Sequence, residues 1–344
     1  MPTNRDINPA EDLSVAYPAL RPLIFNEPIA KAFAEQEDAA NFWKRIYQSS
    51  GNIALACIFI AMLVFDYQVT LQSHYGASPL LAPLSALLVA VGLAAQLVLM
   101  IGKIKDRWLS SRFAAERIRC LKFQAFGVVG SSTEATLAAN VADWTSRNMA
   151  DLNQELLGGR SAVVEFSPAE ALVPLGKPDA HIDPKLIQDA SRVYGMLRIS
   201  VQGQHVADYL KKAEDRAAVP AMFSEILFGA GALLTFVQIA VASWSTLHPE
   251  HPNVFSPLTD AWLAFLTLLM FVASAILAVY ERGSGFQHEA ERYIAYAREL
   301  RRIRLLHAEE GVASYLDAVT KMEEVALREL HDFCRDVKHS NFIF

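Results

Sequence analysis

The chain has 344 residues, of which 53% are hydrophobic and 20% charged, and its formal net charge at pH 7 is -6. This balance is too apolar for an ordinary soluble domain and too charged for a chain that lies mostly in a membrane, and no basic stripe indicates a nucleic-acid partner. The three cysteines, Cys57, Cys120 and Cys334, are scattered, which indicates buried apolar side chains in a reducing compartment and not a disulfide framework.

The first part of the chain predicts an irregular segment followed by two membrane spans. Residues 1–26 are polar and punctuated by proline, and they contain no apolar run that would make a signal peptide. An amphipathic lead-in helix over about 28–48 precedes spans at about 53–71 and 80–101, each long enough to cross a bilayer core of roughly 30 Å. The turn-rich gap "QSHYGASP" between these spans predicts an antiparallel hairpin.

The middle of the chain repeats this order after a cytosolic insertion. An arginine-rich helix, "DRWLSSRFAAERIRCLKF", leaves the second span. The next residues, 128–183, predict one cytosolic helix, "EATLAANVADWTSRNMADLNQEL", opened by a cap at "SSTE" and followed by a proline-rich loop. A second lead-in helix over about 184–215 precedes spans at about 220–247 and 261–280, which predict a second hairpin.

Two further helices complete the predicted elements. A second arginine-rich helix, "ERYIAYARELRRIRLLHA", leaves the fourth span, and a C-terminal helix follows Glu309. Helical spacing predicts the buried face of this last helix. Its apolar positions are Tyr315, Val319, Met322, Ala326 and Leu330.

The placement of lysine and arginine predicts how the spans are oriented. Neither residue type occurs between Arg45 and Lys103 or between Arg216 and Arg282, and basic residues flank both windows. Because positive charge stays on the cytoplasmic side, both hairpins are expected to enter from the cytoplasm and return to it, with the N- and C-termini there. The alternative, four core helices of a large soluble protein, leaves the two windows unexplained.

The predicted fold class is therefore all-α, an integral membrane protein with two transmembrane helical hairpins, four spans in all, and long cytoplasmic helical extensions. The two arginine-rich stretches overlay when the sequence is shifted by 185 positions, which indicates two units of one plan. The predicted domains are an irregular segment at 1–26, a first two-span unit at 27–127, a cytosolic helix and loop at 128–183, a second two-span unit at 184–310 and a C-terminal helix at 311–344.

The aligned arginines allow three interpretations, which their spacing alone does not separate. They are solvated or paired with acids such as Glu116, Glu289 and Glu299, or they contact anionic lipid headgroups, or they bind an anionic partner. Ala297 stands in the second helix where the first has Arg112, so the two helices need not share one role. The aligned pairs are Arg107 and Arg292, Trp108 and Tyr293, Arg117 and Arg302, and Arg119 and Arg304.

No motif in the sequence indicates catalysis. There is no Walker-type glycine loop, no G-x-S-x-G elbow, no paired-cysteine zinc spacing and no H-E-x-x-H, so neither an enzyme nor a cofactor is expected. The sequence "HPEH" at His248–His251 has metal-binding side chains but lies between two spans, so a solvated polar turn is the preferred interpretation.

Polar and small residues within the spans are the candidate pore or packing positions. Glutamine in a span prefers a helix partner or a water-filled face, and carboxylates near span ends mark interfaces or line a cation path. Small residues let helices approach closely, as in "GAGA" and in the stripe Ala82, Ala86, Ala90 and Ala94. The candidates are Gln96, Glu225, Gln238, Gly229, Gly231 and Asp66.

Membrane hairpins followed by an R-[WY]…R-I-R-x-L helix resemble the SLATT family, the SMODS- and SLOG-associating two-transmembrane effector domains of bacterial conflict systems. The resemblance covers roughly residues 27–126 and 184–310. The first unit matches best at "RWLSSRFAAERIRCLKF", and the second adds the lead-in "LRISVQGQHVADYLKKAEDRA". The matching positions of the second unit include Arg198, Gln202, Tyr209, Lys212, Ala213, Glu291, Arg292 and Tyr293.

The resemblance implies a multi-pass protein of the bacterial inner membrane that oligomerises and forms a pore or disrupts the membrane in antiphage defence. Such proteins are thought to stay inactive until a nucleotide second-messenger generator or sensor reports infection. No nucleotide-sensor domain is recognisable here, so a separately encoded sensor, or the cytosolic helices themselves, is expected to receive the signal. A membrane-anchored helical scaffold and a constitutive ion channel subunit are the alternatives.

The expected partners are the lipid bilayer, further copies of the chain and a sensor or second-messenger protein, with no nucleic acid. Cytosolic residues of the matched helices are the candidate positions that couple such a partner to the spans. They are Arg107, Trp108, Arg112, Arg117, Arg119, Arg198, Gln202, Tyr209, Arg292, Tyr293, Arg302 and Arg304.

Overall fold

The structure, a computed structural model, describes residues 4–76, 78–158, 163, 165–174, 183–247, 257–284, 286–309 and 311–339. Side chains are described at all of these positions except 73–74, 213–218, 245–247, 257–260, 282–284, 286–287 and 339. The "HPEH" turn lies outside the described residues, as does the end of the proline-rich loop.

The described part of the chain is helical and contains no strand, so the all-α class predicted from the sequence is confirmed. Short 3-10 stretches at Pro18–Leu20 and Ala125–Ser131 and a π-helical stretch at Gly195–Ser200 join some of the α-helices. The α-helices, in chain order, are α1 (Asp12–Ala16), α2 (Arg21–Ile24), α3 (Glu27–Thr70), α4 (Gln72–Tyr75), α5 (Leu81–Ile101), α6 (Ile104–Gln124), α7 (Glu134–Leu156), α8 (Pro184–Tyr194), α9 (Val201–Leu247), α10 (Pro257–Ser284), α11 (Phe286–His307) and α12 (Val312–His339).

The chain divides into two compact units, each made of segments that are distant in sequence. The long helices α3 and α9 contribute residues to both. The charged unit comprises Met1–Lys44, Lys105–Ala213 and Gln287–His339, and the apolar unit comprises Arg45–Ile104 and Glu214–Phe286.

The core of the charged unit is built around Tyr194 of α8, whose side chain is fully buried. Its ring lies edge-on to Phe123, Phe126 and Tyr315, at centroid distances of 6.1, 5.5 and 6.4 Å. The Tyr315 hydroxyl donates a hydrogen bond of 2.9 Å to the Phe126 carbonyl. Aromatic pairs in this geometry stabilise a core beyond the area that they bury, so they join α6, α8 and α12.

Helix α12 confirms the predicted C-terminal helix and its buried face. It runs over Val312–His339, and its predicted apolar positions are at most 9% exposed. The prediction succeeded because a long amphipathic helix repeats its apolar residues every three or four positions. These positions are Tyr315, Val319, Met322, Ala326 and Leu330.

Helix α7 is present as predicted, but its cap lies two residues beyond the start of "SSTE". The backbone N–H of Thr133 donates to the Thr136 hydroxyl at 3.0 Å, so these threonines cap the helix. The hydroxyl of Ser131 donates instead to the Val128 carbonyl at 3.2 Å, within the preceding 3-10 stretch. A serine or threonine hydroxyl can cap the start of a helix or donate to the carbonyl of a residue three or four positions earlier. The sequence alone therefore did not show which of these residues forms the cap.

The N-terminal segment is more ordered than the irregular stretch that the sequence predicts. It forms the short helices α1 and α2, and it buries Ile7, Leu20 and Ile24 in the core. The Asn26 amide donates a 2.8 Å hydrogen bond to the Thr145 hydroxyl of α7. Helices of four or five residues show no periodic pattern, which is why these were not predicted.

Four helices are long and apolar enough to cross a membrane, as the sequence predicts. They are α3, α5, α9 and α10. At most 17% of the most apolar window of each is buried inside the structure. Large apolar side chains such as Phe65, Ile101 and Phe236 are therefore exposed, by 60, 78 and 71%.

Small residues make some of the close contacts within the apolar unit, and others remain uncovered. A Cβ added at Gly231 would lie 3.3 Å from the Phe271 ring, and one at Gly92 would lie 3.5 Å from the Cys57 Cβ. An added Cβ at Gly229 would meet no atom of the described part of the chain within 4 Å. The predicted alanine stripe is also exposed, so its packing partner is not found in the described part of this chain. The stripe comprises Ala82, Ala86, Ala90 and Ala94.

Candidate functional site

Polar side chains of the predicted third and fourth spans pair with each other. The Gln238 amide donates to the Thr267 hydroxyl at 3.3 Å. Ser224 and Ser274 exchange reciprocal bonds, each hydroxyl donating to the other's carbonyl, at 3.0 and 2.8 Å. Residue numbers rise along α9 as they fall along α10, so the two helices pack antiparallel. Gln238 therefore makes the interhelical hydrogen bond that was one of its two expected roles.

The remaining span candidates are not gathered into one site within the chain. Glu225 is exposed on α9, and Gln96 is half-buried on α5 with no hydrogen-bond partner among the described residues. Gly231 packs on Phe271, whereas Gly229 is uncovered. No contact in the described structure therefore joins these candidates to one another.

Asp66 of α3, a candidate residue near the end of the first predicted span, is buried within the apolar unit. Its side chain is only 1% exposed, and neither carboxylate oxygen has a hydrogen-bond partner in the described structure. Thr70 donates its hydroxyl to the Asp66 backbone carbonyl at 2.7 Å and leaves the carboxylate unsatisfied. A buried carboxyl group without a partner costs free energy, so this residue opposes the stability of the apolar unit.

The arginines of α6 in the charged unit are engaged by carboxylates. Arg112 donates to Glu37 of α3 at 2.9 Å and also pairs with Glu116. Arg119 donates to both oxygens of Glu116 at 2.9 Å. Burial alone would raise the pKa of Glu116, but Arg112 and Arg119 outweigh it and lower that pKa to about 2. Glu116 thus stays ionised between two arginines.

Arg117 ties α6 to α7 and to the loop beyond it. Its guanidinium donates to Glu155 at 2.8 Å and to the Ala171 carbonyl at 3.3 Å, and it lies 5.3 Å from the centre of the Phe166 ring. Only 7% of the residue is exposed. For Arg112, Arg117 and their neighbour Arg119, pairing with acids within the chain is therefore what the geometry shows.

Arg198 lies in the π-helical stretch after α8 and is 1% exposed. It makes a bidentate pair with Glu323 of α12, at 2.8 and 2.7 Å, and the Tyr194 hydroxyl donates to the same carboxylate at 2.9 Å. Its guanidinium also lies 4.6 Å from the centre of the Phe123 ring. Burial opposes the charge of Arg198, but Glu323 holds the arginine pKa well above its ordinary value.

A buried lysine fastens the N-terminal segment to α6. Lys122 is 1% exposed, and its ammonium donates 2.8 Å hydrogen bonds to the carbonyls of Asp6 and Ile7. Arg119 holds the same segment through Asn4, to which it donates at 2.9 Å. Burial lowers the pKa of Lys122 to about 8, against a smaller opposing effect of the Asp6 carboxylate.

Aromatic rings connect the second lead-in helix to α11. Tyr209 of α9 stacks on Tyr293 at a centroid distance of 4.1 Å, and burial, followed by Glu289, raises the Tyr209 pKa. Arg292 pairs with Glu329 and Asp336 of α12 at 3.1 and 3.3 Å. These contacts bring together three residues of the matched pattern on one side of α11.

Of the remaining residues of the predicted coupling set, Arg107 and Trp108 are neighbours on α6, and Gln202 lies on α9. Trp108 is buried edge-on to Phe333 at 6.2 Å, and Arg107 lies 4.8 Å over the Trp43 ring. Gln202 is half-buried and has no hydrogen-bond partner among the described residues.

The second arginine-rich helix is used differently from the first, although the two align in sequence. Arg302 has 76% of its side chain exposed, and its one ion-pair partner among the described residues is Glu299 of its own helix, at 2.8 Å. Arg304 is exposed, and its guanidinium lies so close to Gly203 that a Cβ added there would be 1.8 Å from Nη2. The aligned Arg117 and Arg119 are at most 9% exposed. Helix α6 is thus internal to the charged unit, whereas α11 presents arginines to the outside.

Sequence reasoning missed the acid and the lysine that the core depends on. Glu323 follows Met322 and lies one turn after Val319, so it interrupts the apolar face of α12. Lys122 lies one turn after Ile118 on the buried side of α6. A charged residue on an apolar face indicates a buried partner, and this signal could have found both.

The described residues contain no group of three His, Cys, Asp or Glu side chains able to hold a metal ion. An open groove of about 450 Å³ runs along the N-terminal segment and α7, where Pro18, Phe25, Arg21, Glu134 and Ala138 line it. Arg21 and Glu134 are its charged lining residues, and the rest of the lining is apolar.

No family model, no curated protein and no solved structure matches this chain.

Proposed function

We propose that this chain is a bacterial inner-membrane effector that assembles from several copies and permeabilises the membrane when a partner activates it, in antiphage or related defence. The family resemblance described above motivates the biological setting. The physical support is that one chain contains both an apolar unit, with four helices long enough to cross a membrane, and a charged helical unit.

The observation that carries the proposal is the outer surface of the apolar unit. In the most apolar window of each long helix, at most 17% of the residues are buried, and the remaining side chains are overwhelmingly hydrophobic. Such a surface is costly in water and favourable in hydrocarbon. The uncovered alanine stripe of α5 and Gly229 of α9 add small-residue surface that favours contacts between helices of neighbouring copies.

In this proposal α3 and α5 cross the membrane as one hairpin, and α9 and α10 cross it as the other. The charged unit and both termini lie on the cytoplasmic side. Two windows without lysine or arginine support that orientation, from Arg45 to Lys103 and from Arg216 to Arg282, since basic residues remain on the cytoplasmic side.

A pore would have to be lined by several copies. The polar groups of Gln238, Ser224 and Ser274 are already engaged between α9 and α10, so they are not free to line a water-filled path within one chain. Glu225 is exposed on the outside of α9 and becomes a candidate lining residue only where copies meet. Oligomers of small hairpins can enclose a path in this way without any catalytic residue.

The proposal is tested by membrane leakage in a bacterial host and in liposomes. The full chain would be expressed with the proteins encoded beside its gene, and membrane potential would be followed with a voltage-sensitive dye. Purified protein in liposomes would then be assayed for ion and dye release with the same partners. Loss of potential and release in liposomes are expected; a chain that never does either, with any of those partners, would refute the proposal.

A membrane-anchored scaffold is the second candidate, and the paired polar groups of α9 and α10 favour it, since such a helix pair needs no water-filled face. The two functions separate when all four apolar helices are replaced by unrelated membrane helices of equal length. Biological activity would survive this replacement in a scaffold and would be lost in a pore-forming protein.

A further inference from the structure

Helix α11 carries a basic face that the described part of the charged unit leaves uncovered. Ile294, Arg298, Arg301 and Leu305 follow at spacings of four, three and four residues, so they lie on one side of the helix. All are exposed, Leu305 by 69% and Ile294 by 43%. Neither Arg298 nor Arg301 has an ion-pair partner among the described residues. We call this set the basic face.

Helix α3 carries an acidic face with the same spacing. Lys31, Glu35, Asp38 and Phe42 also follow at intervals of four, three and four residues, and all are exposed, Phe42 by 55%. Glu35 and Asp38 have no ion-pair partner within the described chain, whereas the intervening Glu37 lies on the other side of the helix and pairs with Arg112. We call this second set the acidic face.

We propose that the basic face of one copy docks on the acidic face of a second copy of this chain. Two residues three positions apart on a helix are separated by about 4.5 Å along its axis, and this applies to both the arginine pair and the carboxylate pair. Arg298 and Arg301 therefore meet Glu35 and Asp38 simultaneously.

The apolar ends of the two faces also match. Because the intervals of four, three and four read the same in both directions, the ion pairs form whether the helices run parallel or antiparallel. In the parallel arrangement Leu305 packs on Phe42, and in the antiparallel arrangement Ile294 does. The contact thus has charged pairs at its centre and an apolar anchor at one end.

A second copy of the chain would cover both the basic face and the acidic face, whereas other binding partners would cover only one of them. An anionic lipid surface or an acidic foreign protein would satisfy Arg298 and Arg301 but would leave Glu35, Asp38 and the exposed Phe42 without a role. Copies of one chain supply both faces at equal concentration. Exposed ion pairs are individually weak and salt-sensitive, so the association is expected to weaken as ionic strength rises.

The contact is heterologous, because it joins two different faces. Each copy in a pair retains one free basic face and one free acidic face, so the association continues from copy to copy and closes into a ring when the rotation permits. This inference deepens the assembly step of the proposed function and rests on it only for its biological meaning. The docking itself can be tested apart from leakage.

The test is charge exchange in the full chain, purified in detergent, with self-association measured by mass photometry and analytical ultracentrifugation. The variant R298E/R301E is expected to self-associate about tenfold more weakly, and E35R/D38R by the same factor. Mixing the two variants is expected to restore association, because each then offers a face that complements the other. A chain carrying all four exchanges should associate as the unaltered one does.

A matched control changes two exposed arginines elsewhere in the charged unit. R147E/R328E alters the net charge by the same amount at side chains that are 70 and 58% exposed, and it should leave self-association unchanged. Circular dichroism of each variant checks that the helices are intact. Restoration on mixing cannot come from a folding defect, since neither variant is repaired by the other's fold.

The opposite results are equally clear. If the arginine exchange weakens association while the carboxylate exchange does not, or if mixing fails to restore it, the acidic face is not the partner and the inference is overturned. Binding of the unaltered protein, but not R298E/R301E, to vesicles containing phosphatidylglycerol would then assign the basic face to lipid. Leakage without a response to charge exchange would overturn only this inference, and charge-dependent assembly without leakage would overturn only the proposed function.

Discussion

Arg198 and Glu323 form a bidentate ion pair at 2.8 and 2.7 Å, 1 and 0% exposed, in the core of the charged unit. The pair joins the π-helical stretch between α8 and α9 to the middle of α12. Tyr194 donates a third hydrogen bond to the same carboxylate, so few hydrogen-bonding positions of the pair are left unsatisfied. One of the matched positions of the sequence pattern is therefore a structural anchor.

We expect removal of one partner of this pair to be severe. Glu323→Leu leaves the Arg198 charge buried without a partner and should lower the free energy of unfolding by about 3–5 kcal/mol, whereas the double change Arg198→Met with Glu323→Leu should recover most of that loss. Thermal unfolding of the full chain in detergent measures both. Arg328→Met, which breaks the exposed pair with Glu324, is the control and should cost less than about 1 kcal/mol.

Equal stabilities of the Glu323→Leu chain and of the double variant would contradict this account. They would mean that the Glu323 carboxylate stabilises the fold mainly by accepting the hydrogen bond of the Tyr194 hydroxyl, and not by pairing with the charge of Arg198.

Lys122 predicts a pH dependence of stability. Burial lowers its pKa in the folded chain to about 8 from the ordinary 10.5, with Asp6 opposing and Arg119 adding to the shift. Between these values the Lys122 side chain binds more protons in the unfolded chain than in the folded one, so its contribution to stability rises with pH through this window. The buried thiols of Cys120 and Cys334 have raised pKa values and act in the opposite direction, so the contribution of Lys122 is read as the difference in unfolding free energy between the unaltered chain and Lys122→Met. This difference should grow by about 2 kcal/mol between pH 8 and 10, measured by urea unfolding.

The variant Lys122→Met isolates this effect from other groups. It removes the ammonium whose hydrogen bonds the Asp6 and Ile7 carbonyls accept, so it should be less stable than the unaltered chain, and by a margin that grows from pH 8 to 10. A margin that stays constant over this range would show that Lys122 does not titrate there.

Asp66→Leu should stabilise the apolar unit. The native carboxyl is 1% exposed and its oxygens have no hydrogen-bond partner in the described structure, so its replacement removes an uncompensated polar group. The expected gain is about 1–3 kcal/mol in detergent, read from the thermal midpoint. Asp66→Asn keeps a polar group of the same size and should gain less. A loss of stability in Asp66→Leu would indicate that the carboxyl group has a partner.

The two glycines of "GAGA" predict opposite responses to one substitution. A leucine at Gly231 must displace the Phe271 ring, which already lies 3.3 Å from the position of an added Cβ, so Gly231→Leu should separate α9 from α10 and lower the thermal midpoint. The space around Gly229 is open, and leucine favours a helix more than glycine does, so a single chain should tolerate Gly229→Leu.

The response to Gly229→Leu therefore shows whether Gly229 lies at a contact between copies. If Gly229→Leu leaves the isolated chain stable but abolishes assembly or leakage, another helix covers Gly229 in the active state. If it destabilises the isolated chain as much as Gly231→Leu does, the open space at Gly229 is filled within one chain, contrary to the structure.

The aligned arginines should differ in their contribution to stability. Arg117→Ala removes a buried guanidinium that binds Glu155 and the Ala171 carbonyl, and we expect a loss of about 2 kcal/mol. Arg302→Ala removes an exposed side chain with one partner on its own helix, and we expect a loss below about 0.5 kcal/mol. Chemical denaturation of both variants gives the comparison; equal losses would contradict the distinction between an internal α6 and an external α11.

The sequence predicted those features that are repeated along a helix. The long apolar stretches predict the four long helices, and periodic hydrophobicity predicts the buried face of α12. Pairing of arginines with acids such as Glu116 and Glu299 was one of three interpretations left open, and both acids do pair with arginines. Local helical spacing, three or four residues, is enough to place such partners.

Long-range partners could not be predicted in this way. Arg198 and Glu323 are 125 positions apart, and Lys122 binds carbonyls more than a hundred positions away. Nor did the sequence indicate that Arg117 is internal and Arg302 external, because helices of similar composition become buried or exposed according to what packs around them. The candidate coupling positions therefore divide into core anchors and surface residues only once the fold is known.

The two native cysteines of the charged unit, Cys120 and Cys334, are expected to react very slowly with thiol reagents. Burial, followed by the charges of Glu323 and Glu329, raises the pKa values of the Cys120 and Cys334 thiols to about 12, so scarcely any thiolate exists at neutral pH. In a chain whose half-buried Cys57 in the apolar unit has been replaced, a maleimide would therefore label a newly introduced surface cysteine of the charged unit without a native background. The slow labelling rate of Cys120 and Cys334 would in turn measure how often the charged unit opens. A partner that destabilises this unit would increase that labelling rate.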